Sequence, residues 1–168
     1  MSATARILVA GQAPGTRVHA SGRPFTDPSG DRLRAWMGIG EKVFYNPDKL
    51  AIVPMGLCFP GLDHKGGDLP PRAECAPLWR ARLMAAMPQL QYVLAIGMYA
   101  QAWHLAGQHK RTLTETVAAW RDYKRLQPVR VMPMPHPSWR NTGWLKKNPW
   151  FEAELLPELQ DDVKALVA

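Results

Sequence analysis

Cysteine is scarce: Cys58 and Cys75 are the two in 168 residues. That number excludes a disulfide framework, and two thiolates alone do not complete a zinc site. Long apolar runs are missing too. Nothing approaches the roughly 20 residues that a membrane helix needs, and no charged-then-apolar leader opens the chain. A cytoplasmic protein with no membrane partner is therefore expected. Acidic residues are in the minority, 14 against 21 Lys plus Arg, for a net charge of +7. This balance favours an anionic partner, although an ordinary basic soluble protein carries as much. Repeats, linkers and low-complexity tracts are absent, so residues 1–168 are expected to form one domain, and a hydrophobic content of 46% suffices for a core without staples. The 16 prolines and 13 glycines fall at element boundaries, which marks loops rather than disorder.

What is present has a βα rhythm. Ile7-Leu8-Val9-Ala10, Leu50-Ala51-Ile52-Val53, Tyr92 to Ile96 and Val129 to Met132 are short continuous apolar runs of the kind buried in parallel sheets. Helical spacing separates them. Asp27 or Ser29 caps a helix from Pro28 to Met37 that turns Leu33, Trp36 and Met37 inward. Pro70-Pro71 starts another to about Met87, with Cys75, Leu78, Trp79, Leu83 and Ala86 recurring and Arg72, Arg80 and Arg82 on its wet face. Met98 to Leu105 leaves the third strand, with Trp103 packing and His104 at the surface. Thr112 or Thr114 caps a helix through Tyr123. Asn148 and Pro149 open the last one, whose stripe is Phe151, Leu155, Leu159, Val163 and Leu166. Four strands alternating with helices predict an α/β fold, a three-layer α/β/α sandwich around a central four-stranded parallel sheet.

Two loops carry chemistry. The fourth strand runs into Pro133, Pro135 and Pro137, whose missing donors should end the ladder and present His136 on a stiff loop at a strand's carboxyl edge, where open α/β sheets place ligands. Ser138, Trp139, Arg140 and Asn141 follow: a hydroxyl, a flat aromatic, a fork of donors and an amide, a set suited to nucleic acid. A solvated histidine on a proline-rich loop is the plainer reading. The first strand delivers Gly11-Gln12-Ala13-Pro14-Gly15, whose glycines permit close approach of an anion or a base edge to the backbone, as they would also permit a simple turn. Residues 55–69, rich in glycine and without periodicity, form a further candidate wall, with His64 and Lys65 solvated.

Together these segments resemble the uracil-DNA glycosylase superfamily over most of the chain, and most of all its iron–sulfur, family-four branch. Gly11-Gln12-Ala13-Pro14-Gly15 is similar to that branch's Gly-Glu-Ala-Pro-Gly loop, Gly22-Arg23-Pro24-Phe25 with Gly30 to the segment carrying a base-stacking phenylalanine, and His136-Pro137-Ser138 to the last motif. Cys58 and Cys75, seventeen positions apart around Pro70-Pro71-Arg72, resemble the second pair of cluster cysteines. The resemblance implies a DNA repair hydrolase that extrudes a deaminated base, uracil foremost, and cuts its N-glycosidic bond. His136 would stabilise the departing base, Phe25 stack on it, and the backbone of Gln12 and Ala13, with Gly11, Pro14 and Gly15, close the pocket. Trp139 or Arg140 would enter the duplex, with Lys146 and Lys147 on phosphates beside Ser138 and Asn141.

The departures from that pattern are as informative. The first cysteine pair has no counterpart before the first strand, so no cofactor is expected and Cys58 and Cys75 should be packed free thiols. The motif's glutamate is Gln12, Ala13 stands where a water-activating aspartate is carried in the best-known branch, and Val18 and His19 replace an acidic pair. Pro54 occupies the position of the asparagine that reads the uracil edge. Asp27, Asp31 and Asp68 are the carboxylates left to assist water. A weakly active monofunctional glycosylase acting as a monomer is the leading expectation. A catalytically silent nucleic-acid-binding member, or a glycosidase for another damaged base or a free nucleoside, are the alternatives.

Overall fold

A computed structural model describes residues 1–126 and 128–168. Its centre is a sheet of four parallel strands, β1 Ile7–Ala10, β2 Leu50–Ile52, β3 Tyr92–Ile96 and β4 Arg130–Met134, in the order β2-β1-β3-β4. Register runs Ile7 to Leu50, Ile7 to Tyr92 and Tyr92 to Arg130. The strands are apolar on both sides because both faces are covered. Ile7, Val9, Leu50, Tyr92, Leu94, Ile96, Met132 and Met134 face one layer, Leu8, Ala10, Ala51, Val93, Ala95 and Val131 the other.

The first layer holds α2 (Pro28–Met37), α3 (Glu41–Phe44) and the terminal α9 (Leu156–Val167), through Leu33, Trp36, Met37, Phe44, Leu159 and Val163. Burying side chains of that size contributes on the order of 1.5–3 kcal/mol each, so this face carries a large share of the fold's stability. The second holds α4 (Ala81–Ala85) with Met87, and α5 (Met98–His104) with Ala100 and Leu105. A short α1 (Thr16–Ser21) follows the first loop, α6 (Leu113–Ala118) and α7 (Trp120–Tyr123) precede β4, and α8 (Thr142–Lys147) follows the histidine loop. The chain moves to β2 on one side of β1 and to β3 on the other. The carboxyl ends of β1 and β3 therefore flank the switch point where such sheets open a crevice.

Asp27 caps α2 by accepting from the Gly30 amide at 3.3 Å, and Thr112 caps α6 in a reciprocal pair with Glu115. Elsewhere the expected elements are corrected. Pro133 lies inside β4, paired with Ala95, instead of ending it. β4 is an edge strand, where a residue without an amide proton breaks no ladder bond. The helix expected from Pro70 begins only at Cys75, as a π-helical turn over Ala76–Arg80 that runs into α4. Wider turns rotate its faces, so Leu78 and Trp79 are exposed and Arg80, expected on the wet face, is 1% exposed. The last helix likewise starts with a π turn over Phe151–Leu155, yet its expected stripe is buried. The helix expected to reach Tyr123 breaks into α6 and α7, and α1 and α3 were not foreseen.

Candidate active site

The carboxyl ends of the strands deliver the loops at issue to one end of the sheet. Gly11–Gly15 continues beside the extension of β2: the Met55 and Gly56 amides donate to the Gly11 and Gln12 carbonyls, each at 2.9 Å. Gly56 is needed there, since a Cβ on it would stand 3.2 Å from that of Ala13 and 3.0 Å from Pro71. The Gln12 side chain reaches across to donate to the Leu69 carbonyl at 2.9 Å. It thereby ties the first loop to the long loop that Gly56 opens.

That long loop, without helix or strand as its lack of periodicity implies, is held by its own local bonds. Leu62 and Asp68 bridge antiparallel, the Leu69 amide donates to Gly61, and Asp63 accepts from the Lys65 and Gly67 amides at 2.8 Å each. Asp68 projects back toward the first loop. A Cβ placed on Gly15 would lie 3.4 Å from its Oδ2.

Phe25 is held in a conformation that L-residues avoid, with φ of 57°. Such a backbone costs on the order of 1–3 kcal/mol, and it persists because its carbonyl is held from two directions. Tyr45 donates its hydroxyl to Phe25 at 2.9 Å and to Pro24 at 2.7 Å, while Arg34 donates to Phe25 at 3.1 Å. Gly30 completes the seat: any Cβ there would fall 1.8 Å from the Phe25 oxygen. The ring is half-buried, edge-on to Phe44 at 5.9 Å between centroids.

His136 stands two residues beyond β4 on a loop braced from three sides. The Ser138 amide donates to its Nδ1 at 3.2 Å, Asn141 donates to its carbonyl at 2.7 Å, and Arg32 of α2 donates to the Ser138 carbonyl at 3.0 Å. An Nδ1 that accepts leaves the proton of the neutral ring on Nε2, so His136 offers an N–H donor. The ring keeps solvent access, but the protein around it lowers its pKa below the ordinary value, and the carboxylates of Asp27 and Asp68 partly oppose that. The charge of Asp27, beside the Phe25 segment, and that of Asp68 both act on this imidazole. Ser138 and Asn141 thus brace the loop from within. Trp139, 76% exposed, and Arg140 face solvent in a 3-10 turn, and Lys146 and Lys147 are exposed at the end of α8.

The wall at the end of β2 has a support that no motif or periodicity announces. Arg80 donates to the Val53 carbonyl at 2.7 Å and to that of Pro54 at 3.2 Å, and its Nε and Nη2 both point at His104 Nε2, at 3.2 and 2.7 Å. No carboxylate pairs with this guanidinium among the described residues. Burial lowers its pKa to about 10, and burial together with the Arg80 charge pushes His104 down to about 3. His104, expected at the surface, is the neutral acceptor of a buried cation. Pro54 itself offers only a carbonyl here, already engaged.

Cys75 is half-buried, but Cys58 is exposed rather than packed, on a loop beyond β2 with too few neighbours to cover it. Two thiols do not fit a four-iron cluster, and among the described residues no three His, Cys, Asp or Glu side chains converge on a point that could hold a metal ion. His19 is exposed on α1, its ring tilted against Phe59 at 5.6 Å. Asp31 is paired with Arg34 at 2.5 Å. Among the described residues no helix is long and apolar enough to cross a membrane. The model of one protein family, described as the Uracil DNA glycosylase superfamily, matches residues 1–160.

Proposed function

Because the chain belongs to the uracil DNA glycosylase superfamily, whose members act on DNA, we propose that it is a monofunctional DNA glycosylase that extrudes a deaminated base, uracil first, and hydrolyses its N-glycosidic bond. The observation that carries this reading is the hydrogen bond that the Ser138 amide donates to His136 Nδ1, which selects the ring's tautomer. When the bond between C1′ and the base nitrogen lengthens, positive charge gathers on the sugar and negative charge on the base. A neutral imidazole whose Nδ1 is claimed by the Ser138 amide keeps its proton on Nε2 and donates it to that growing charge without having to reorganise, in the manner of an oxyanion hole. Phe25, set rigidly by Tyr45, Arg34 and Gly30, stacks on the extruded ring. Gly11 to Gly15 line the pocket opposite. Trp139 or Arg140 fills the gap left in the duplex, and Lys146 and Lys147 contact phosphates.

Pro54 tempers the specificity. With no amide at the end of β2, a reader that both donates to and accepts from the base edge is missing, so discrimination among deaminated bases should be weaker than a dedicated amide would give. The test is cleavage of labelled oligonucleotides containing uracil, hypoxanthine or xanthine, single-stranded and in each mismatch, with alkali to reveal abasic sites. Excision of uracil that is lost in His136→Ala is the expected result. Binding should weaken steeply with salt, and a flat salt response would count against DNA as the partner. Tight, salt-sensitive binding with no excision at high enzyme concentration would instead support a silent member of the family.

A further inference from the structure

We propose that Asp68 is the catalytic residue that activates water in this protein, a carboxylate delivered by the loop after β2 instead of by the loop after β1. The inference rests on the glycosylase reading and adds to it the base that Gln12 and Ala13 do not supply. Four aspartates lie on the segments around the site, and three are occupied. Asp27 accepts from the Gly30 amide and the Ser29 hydroxyl, Asp31 is paired with Arg34, and Asp63 holds the Lys65 and Gly67 amides. Asp68 takes no side-chain hydrogen bond or ion pair among the described residues, and both its oxygens lie within 4 Å of the Cβ position on Gly15.

Its placement is fixed, not incidental. The bridge with Leu62 and the bond from the Leu69 amide to Gly61 set the backbone on both sides, and the Gln12 amide holds the neighbouring Leu69 carbonyl. A glutamate at position 12 would repel that carbonyl and crowd Asp68 with a second negative charge. The amide there and the carboxylate at 68 therefore form a matched pair. An unpaired carboxylate beside the first loop and acting on the His136 ring has two uses in one reaction. It faces the sugar while that carries positive charge, and it accepts a proton from water as the water oxygen bonds to C1′. The C1′–N electron pair leaves with the base, which His136 stabilises until it is protonated by solvent, so the products are an abasic sugar and the neutral base.

Two measurements on the full chain test this. In single-turnover excision, Asp68→Asn should slow the reaction by about a hundredfold or more, within the range of general-base removal. It should leave the melting temperature unchanged because the side chain is exposed. Formate should restore part of the rate to Asp68→Ala. The second measurement needs no turnover: binding to DNA carrying a cationic pyrrolidine in place of the abasic sugar, against the neutral tetrahydrofuran. Wild type should prefer the cation by tenfold or more, and Asp68→Asn should lose that preference while binding the neutral site equally well. Excision by Asp68→Asn within threefold of wild type would overturn the role of Asp68 and leave the glycosylase standing. Absence of excision by wild type would overturn the glycosylase reading, and absence of any preference for the cationic site would overturn Asp68 with or without it.

Discussion

His104 and His136 make an instructive pair. Both imidazoles are held below their ordinary pKa by the protein around them, and both are therefore neutral at pH 7, yet they carry their proton on opposite nitrogens. At His104 two guanidinium N–H groups claim Nε2, which leaves the proton on Nδ1. At His136 a backbone amide claims Nδ1, which leaves the proton on Nε2. The first ring faces inward and completes the seat of a buried cation under the wall at Val53 and Pro54. The second keeps its donor for something that is not part of the chain. Chemistry in this protein is thus decided less by which residue is a histidine than by which neighbour binds the ring first.

The largest effect that separates the pair is catalytic. His136→Ala should cost about 10²–10³ in excision rate, the usual toll for removing one preorganised donor, with a melting temperature close to wild type. His104→Ala should show the reverse order, since it strips Arg80 of its acceptor. A His104 variant that lost excision with stability intact would break the contrast.

Arg80→Met should destabilise by about 2–4 kcal/mol in denaturant unfolding, because the Val53 carbonyl keeps its burial and loses its charged donor. A gain in stability would mean instead that desolvation of the lone guanidinium outweighs its three partners.

The pH dependence of stability is smaller per unit. The folded value for His104 is about 3, below the roughly 6.5 of an unfolded imidazole, so the unfolded chain takes up the proton first. The stabilisation from neutral His104 is fully present above pH 6.5 and is lost as pH falls toward 3, at up to about 1.4 kcal/mol per unit. His104→Asn should flatten that slope between pH 6.5 and 4, measured by melting temperature. Nitrogen-15 shifts should also show the opposite tautomers at pH 7.

The smallest change sharpens the other half of the comparison. Asn141→Ala removes the brace on the His136 carbonyl, worth about 1 kcal/mol. Excision should fall by about five- to tenfold with Kd for the neutral abasic site unchanged.

Much of this was legible in the residues. The four strands, the Asp27-capped helix and the final apolar stripe follow from short β-rich runs and three- and four-residue spacing, signals set by local chain geometry. The loop of His136 was legible because prolines announce stiffness. What was not legible depended on register or on distance. A π turn over Ala76–Arg80 shifts the helical phase, exchanging Leu78 and Trp79 for Arg80 as the inward residue, and ordinary periodicity has no sign for it. Pro133 reads as a strand breaker only until β4 is known to lie at the edge. Asp68 meets Gly15 from 53 positions further along the chain, through a loop whose bridge is made by backbone groups that every residue has. The tautomer of His136 likewise comes from a main-chain amide.

The contact at Gly30 has a bearing on descent. Its backbone lies so close to the Phe25 oxygen that no side chain fits, and this holds whether or not a base is ever excised. A lineage that abandoned catalysis would be free to let His136 and Asp68 drift, but any replacement at position 30 would push apart α2 and the Phe25 turn. Among descendants of this protein, position 30 should record inheritance of shape, and positions 68 and 136 inheritance of work.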